Sequence, residues 1–503
     1  MTRIQKTTKT SAILFCAVLL FLGLAGQAFA ATYYVAKTGS DSADGSQGSP
    51  WLTIQHAADT ATAGDTVNVA AGEYHAQVAF TKSGTAGHPI IFQTDPADPA
   101  IIDGEGVSFS IWSSLIRLDN ASYLTLSGFK VINSLTTSIQ INNGTHDQLL
   151  NLDVSNSGTS YAATGQIVAG SDIGSPPAFS VISGCKVHDS PGGGITMWGV
   201  AGGYWLIENN EVYNNAGYAN WDGVQVGVGD ATGGIQDNHV IVKNNLIYNN
   251  ATGGGEGQDN LDLGAHAINH HFLVEGNDIY GGNGSFKLNS GNAFEHHYRA
   301  GVSSFHIARF NRFTGIGYSC YGFPSPTVIY NNTFVDAYHT FAQFSQEDLP
   351  HDSYGDSTYT GGDTGRQNLK NNIFFQESTS GGYYGVFVYG DVDVTYSSVR
   401  LQHNLYRSGG NLNMAWGTDN AGYKYKEITL PGVFQAYQNS SAPDYPDTGS
   451  ILTTTDASQN FVGYATKDYH LTSTSPAIDA GMALTTATSS ATDSTTLVVD
   501  RAS

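Results

Sequence analysis

"YWLIENNEVYNN" (204–215) and "HVIVKNNLIYNN" (239–250) decide how this chain folds. In each, an alternating strand-like run ends at an asparagine that is followed two residues later by an apolar residue. The pattern recurs in "EGNDIYGG", "RFNRFTG", "YNNTFVD", "KNNIFFQ" and "QHNLYRS". It aligns Asn210, Asn245, Asn277, Asn311, Asn332, Asn372 and Asn404, spaced roughly 20 to 40 residues apart. After most of them a variable Gly-rich stretch leads to another short strand. Three short strands per repeat, with an asparagine at a fixed turn, fit an all-β parallel β-helix in which each coil buries its apolar face against its neighbours. Stacked amides can hydrogen-bond along the ladder, and asparagine tolerates the left-handed backbone that such a turn needs. These asparagines are therefore read as holding the fold, not as doing chemistry.

Composition agrees. Sixty glycines among 503 residues argue against helical bundles. The 21 Lys and Arg against 43 Asp and Glu give a formal charge of −22. That balance excludes nucleic acid as a partner and favours solubility and cation binding. An anionic substrate would need a local positive site or a bridging metal.

Residues 1–30 read as a secretory signal: Arg3, Lys6 and Lys9 precede the apolar run "AILFCAVLLFLGLAG", and Ala28-Phe29-Ala30 supplies a small-residue cleavage site. The expectation is a secreted protein without a membrane anchor. Cys185 and Cys320 remain after cleavage and are read as buried free thiols, not a disulfide framework. Residues 31–104 form an N-terminal cap and the first coils, with a helix near Thr53–Thr62 protecting the open end of the solenoid. Residues 105–480 form the β-helix, and the Thr/Ser-rich stretch 481–503 is unassigned. Capped ends make a monomer the expectation.

Four strands after the Gly-rich loops align as "GGITMWG", "DGVQVGV", "DNLDLGA" and "GSFKLNS". Alternation sends Ile195, Met197, Val224, Val226, Leu261, Leu263, Phe286 and Leu288 inward, and Thr196, Gln225, Asp262 and Lys287 outward on successive coils. Asp222, Gln258 and Asp259 lie just ahead of these strands. Hard oxygen donors at this density suit Ca²⁺, with Asp222, Asp259 and Asp262 converging from adjacent coils. The alternative is that Asp222 and Asp259 cap turns. Trp198, Trp221 and Tyr298 are candidate aromatics for the same face. Arg299 is a candidate partner for a uronate carboxylate, or the member of a plain surface ion pair. The adjacent pairs His270–His271 and His296–His297 point to opposite sides of an extended chain, so neither pair chelates alone.

The outward aspartate, the oxygen pair before its strand, the aspartate one coil earlier and the following "NGSFKL" together resemble polysaccharide lyase family 9. The functional likeness covers roughly residues 220–291, and the solenoid likeness nearly the whole mature chain. The resemblance implies a right-handed parallel β-helix that cleaves an acidic, pectate-like polysaccharide by β-elimination. It implies Asp222, Asp259 and Asp262 as Ca²⁺ ligands and Lys287 as the base. The family has an acid where this chain has Gln258, whose amide oxygen can still ligate but leaves the site one negative charge short. "YRAGVSSFHIARFNRFTG" (298–315) also resembles, loosely, the arginine-bearing coil of family 6 alginate and chondroitin lyases. Two other readings stay open: a β-helix hydrolase or uronan epimerase using the acids as a pair, and a non-catalytic carbohydrate-binding solenoid.

Overall fold

The computed structural model describes residues 30–481 apart from 112, 159–164, 171–177, 199–202, 216–220, 229–237, 251–258, 264–269, 282–294, 297–304, 316–320, 323–326, 337–339, 347–366, 378–381, 391–398, 409–410, 419–421, 429–446 and 479. Its strands fall into three long sheets of 14, 13 and 13 strands, visited in turn, so each coil gives one strand to each sheet. We call them I, II and III in the order a coil visits them. Every strand pair along the solenoid is parallel until the last strand of sheet III, Gly422–Ile428, which pairs antiparallel with Asn411–Thr418. The expected parallel β-helix is what the chain forms.

Alternation builds the core. Val224 and Val226 stack under Leu261 and Leu263, all at most 1% exposed. In the later coils the inward column of sheet II becomes aromatic. Phe313, Phe334, Phe374 and Tyr406 stack with centroids 4.8, 4.8 and 5.2 Å apart. The coil spacing of ~4.8 Å matches offset ring stacking, so one residue type can repeat indefinitely along the axis.

The turn from sheet I to sheet II carries the seven aligned asparagines. Each of the first six donates its Nδ2–H to the Oδ1 of the next, from Asn210 through Asn404. Each of these six backbone N–H groups donates to the same acceptor. The residue before the asparagine is left-handed at Asn209, Asn244, Asn331 and Asn371, with φ between 54° and 57°. Cys185 occupies the asparagine position one coil earlier, its backbone N–H donating to Asn210 Oδ1. Its thiol is buried, and burial pushes its pKa up to about 12. Cys320 lies outside the described residues.

The N-terminal helix runs Ile54–Thr60, capped by Thr53, whose Oγ1 accepts from His56 N–H at 3.1 Å. It turns Ile54, Ala57 and Ala58 into the core. At the other end a short antiparallel pair, Phe461–Gly463 with Asp468–Leu471, lies along the outer side of sheet II. There Phe461 packs edge-on to Phe375 at 4.9 Å, and Lys467 Nζ sits 3.8 Å from the Tyr280 ring centre.

Candidate active site

A second ladder, which the repeat pattern does not separate from the first, occupies the turn from sheet II to sheet III. Asn215 Nδ2–H donates to Asn250 Oδ1 at 3.1 Å, and Asn250 Nδ2–H to Asn260 Oδ1 at 3.2 Å. Gln166 begins it, donating to Asn215 Oδ1 at 2.8 Å and accepting from Ser157 at 2.7 Å. The doubled asparagines in "YNN" at 213–215 and 248–250 are its sequence signal.

The candidate acids stand where this ladder meets sheet III. Asp222 and Asp259 occupy equivalent positions on consecutive coils, because Val224, Gln225 and Val226 pair with Leu261, Asp262 and Leu263. Both are 1% exposed. Asp222 Oδ1 accepts the backbone N–H of Asp259 at 2.6 Å, so this carboxylate tethers the next coil. Gly223 is required between Asp222 and its strand, since a Cβ there would stand 2.5 Å from Asn250 Nδ2 and 2.7 Å from Asn260 O. The strand can therefore press against the ladder and draw Asp222 in with it. Asp262 faces outward, 9% exposed, and accepts from Gln225 Nε2 at 3.3 Å.

Thr196, Gln225 and Asp262 form one outward row in register, as alternation requires. Opposite Asp262 on the next coil stands Glu295, and His296 lies beside Leu263. The backbone register thus gives the next position of the row to Glu295. Lys287, Gln258, Tyr298 and Arg299 lie outside the described residues. Trp198 ends the strand Ile195–Trp198 at a register shift, and part-buried Trp221 directly precedes Asp222.

The donor set at this turn is hard oxygen from two adjacent coils, the chemistry of Ca²⁺ binding rather than of a softer metal. Among the described residues, no group of three or more His, Cys, Asp or Glu gathers in a way that could hold a metal ion. Asp222, Asp259 and Asp262 are all among them, so in this structure the three carboxylates are not gathered closely enough to hold an ion together.

Comparison with known proteins follows the same line. One curated relative, an uncharacterized protein YwoF of Bacillus subtilis, is 34% identical over 99 residues, 20% of this chain and 21% of its own. Another, the pectate lyase PEL9 of Emericella nidulans, is 38% identical over 106 residues, 21% of this chain and 26% of its own. The chain thus matches about a quarter or less of the length of these relatives. Among solved structures, a rhamnogalacturonan lyase superposes with a TM-score of 0.49 at 19% identity, covering 74% of this chain and 87% of that one. Pectate lyase Pel9A gives 0.42 at 15% identity, covering 75% and 80%. With TM-scores below 0.5, neither bears on what this chain does. The family described as Pel9A-like, right handed beta helix region, matches residues 33–318, more than half of the chain. Parallel coils, stacked asparagines and this match together place the chain in the Pel9A-like right-handed β-helix family.

Proposed function

We propose that this chain is a secreted, Ca²⁺-dependent lyase that cleaves an acidic, uronate-containing polysaccharide, pectate-like in character, by β-elimination. The observation that carries the reading is the placement of Asp222 and Asp259 at equivalent positions on adjacent coils, beside outward-facing Asp262, within the family-matched region.

Asp222, Asp259 and Asp262, with Gln258, are the residues that would hold the cation. Bound Ca²⁺ would pair with the substrate carboxylate beside C5 and make the C5 proton easier to remove. Lys287, assigned by its "NGSFKL" motif, takes that proton. As it leaves, the C4–O4 bond breaks, a C4=C5 double bond forms, and the departing oxygen takes a proton from solvent. A lysine can act this way only when neutral. Neighbouring carboxylates alone would keep it protonated, and cationic charge among them lowers its pKa. Activity is therefore expected to rise towards alkaline pH. Gln225, bonded to Asp262, positions that carboxylate, and Arg299 pairs with a second uronate.

The test is incubation of the purified protein with polygalacturonate, alginate and glycosaminoglycans, with Ca²⁺ or with chelator, following the ultraviolet absorbance of unsaturated uronate. The reading expects Ca²⁺-dependent chromophore on one uronan. New reducing ends without chromophore would assign hydrolysis. Binding without either product would assign a carbohydrate-binding solenoid.

A further inference from the structure

The outer side of sheet I carries a ladder of rings. Tyr123, His146, Phe179, Tyr204 and His239 stack at the start of this sheet on successive coils, with centroids 4.5, 5.1, 5.6 and 4.6 Å apart. The ladder lies at the surface: His146 is exposed, Phe179 is 43% exposed and Tyr204 54%. Its backbone is strained. Tyr123, His146 and Phe179 have φ of 55°, 62° and 54°, whereas most other left-handed non-glycine positions of this chain are asparagine. Asparagine would relieve that strain if the turn needed only its shape, so the rings themselves are what the strain maintains. The stack is also broken at one place. Planes differ by 9° and 7° from Tyr123 to Phe179 and by 12° from Tyr204 to His239, but Phe179 and Tyr204 meet at 40°. That opens a wedge between two large exposed rings. The next outward column holds Thr125, Gln148, Val181, Leu206 and Ile241. Neither column has an acid across these coils, on a chain of formal charge −22. Beyond them Glu208 is paired with Lys243 at 3.0 Å.

We propose that this ladder is a second polysaccharide-binding site, where pyranose rings of a uronan pack against Phe179 and Tyr204 and the polymer lies along the solenoid axis. The choice of a uronan rests on the lyase reading above. Exposed contiguous apolar surface on a soluble protein marks an interaction site, and aromatic rings are suited to the C–H faces of sugars. A polyanion is repelled by carboxylates, so a strip without acids is where it can lie on this chain. The ladder spans about 20 Å at ~4.8 Å per coil, room for about four sugar residues. It borders sheet I, whereas Asp222, Asp259 and Asp262 border sheet III. The site therefore tethers polymer without touching the bond that is cut.

The test compares the purified protein with its Phe179→Asn/Tyr204→Thr variant, which keeps a residue suited to each backbone and whose fold is checked by melting. Both are run through native gels containing polygalacturonate and chelator, sized by sedimentation, and assayed with Ca²⁺ on polygalacturonate and on galacturonate trimer. The ladder predicts that the unaltered protein is retarded by polymer even in chelator, and that the variant binds about tenfold more weakly with its fold intact. Activity on polymer should fall with it while activity on trimer stays the same. Equal retardation of the two proteins, or none of the unaltered one, would overturn the site. A dimer that the variant loses, without any polymer retardation, would assign the ladder to a second copy of the chain instead. No unsaturated product from either protein would overturn the lyase reading, and retardation lost in the variant would still support the ladder.

Discussion

The two asparagine-bearing turns of each coil make an instructive pair. At the first, from sheet I to sheet II, a neutral amide repeats for seven coils, joined by donor and acceptor from each coil to the next. At the second, from sheet II to sheet III, the amide ladder among the described residues runs from Gln166 through Asn215 and Asn250 to Asn260, and Asp222 and Asp259 stand beside it. Burial does not separate the two sets, since Asn210 and Asn245 are 2% exposed and the two aspartates 1%. Chemistry does. An amide extends a ladder from coil to coil at no electrostatic cost, whereas an ionised carboxylate only accepts, and two of them on adjacent coils repel. The direction of bonding also reverses. In the first turn the earlier coil's N–H donates to the later coil's side chain, and at Asp222 the later coil's N–H donates back. A turn that needs only structure can use asparagine, and the proposed lyase reading gives the acids at the neighbouring turn a role beyond the tether at Asp222.

That contrast can be broken by mutation. The largest effect is expected in the first turn. Asn277→Leu would strand the two Asn245 donors that meet Asn277 Oδ1, and would take the amide donor away from Val242 O. Only the backbone N–H at position 277 would still reach Asn311 Oδ1. At about 1–3 kcal/mol for each buried group left unpaired, unfolding stability should fall by about 4 kcal/mol, measured by denaturant melts. A loss under about 1 kcal/mol would mean the ladder is incidental.

Next comes a buried acid away from both turns. Asp147, 0% exposed, accepts from Leu124 N–H, and burial pushes its pKa up to about 7. Its folded pKa lies above the unfolded value of 3.8, so its contribution to stability is greatest in acid and is lost as pH rises towards about 7. Asp147→Asn should leave stability unchanged near pH 4 and raise it by up to about 4 kcal/mol at pH 8. Equal melting curves for the two proteins at pH 8 would contradict the buried, protonated acid.

Smaller still is the partly exposed cluster on sheet II. His188 bonds Asp153 at 3.0 Å and Asp189 at 2.8 Å, and its ring stacks 4.7 Å from Tyr213. The Asp153 hydrogen bond raises its pKa above 6.5. The cluster's stabilisation is therefore complete below pH 6.5 and fades as pH climbs through the raised value. His188→Gln should cost under about 1 kcal/mol at pH 6 and less at pH 9, because solvent screens such ion pairs. A cost that grows with pH would reverse the assignment.

The solenoid was legible because its signals are periodic. Seven asparagines and an alternating strand beside each leave few other architectures, and the helix found at Ile54–Thr60 lies inside the expected Thr53–Thr62. The site was legible only in part. Alternation places Asp262 on the outer face, but it says which face a residue takes, not which coil it joins. The register partner of Asp262 on the next coil is Glu295, which follows a stretch of free length that no strand pattern measures. The second ladder is hidden because its asparagines share doublets with the same short motif.

The central claim is that the acids of the second turn serve chemistry while the asparagines serve the fold. The most direct measurement is the Asp222→Asn/Asp259→Asn double variant, compared with the unaltered protein in melting temperature and in Ca²⁺-titrated release of unsaturated uronate. The amide oxygen introduced at position 222 can still accept the backbone N–H at position 259, so the account predicts stability within about 1 kcal/mol. It predicts lyase activity lower by on the order of 100-fold or more, with a weakened Ca²⁺ response. A variant that unfolds while its remaining folded fraction keeps full activity would contradict it.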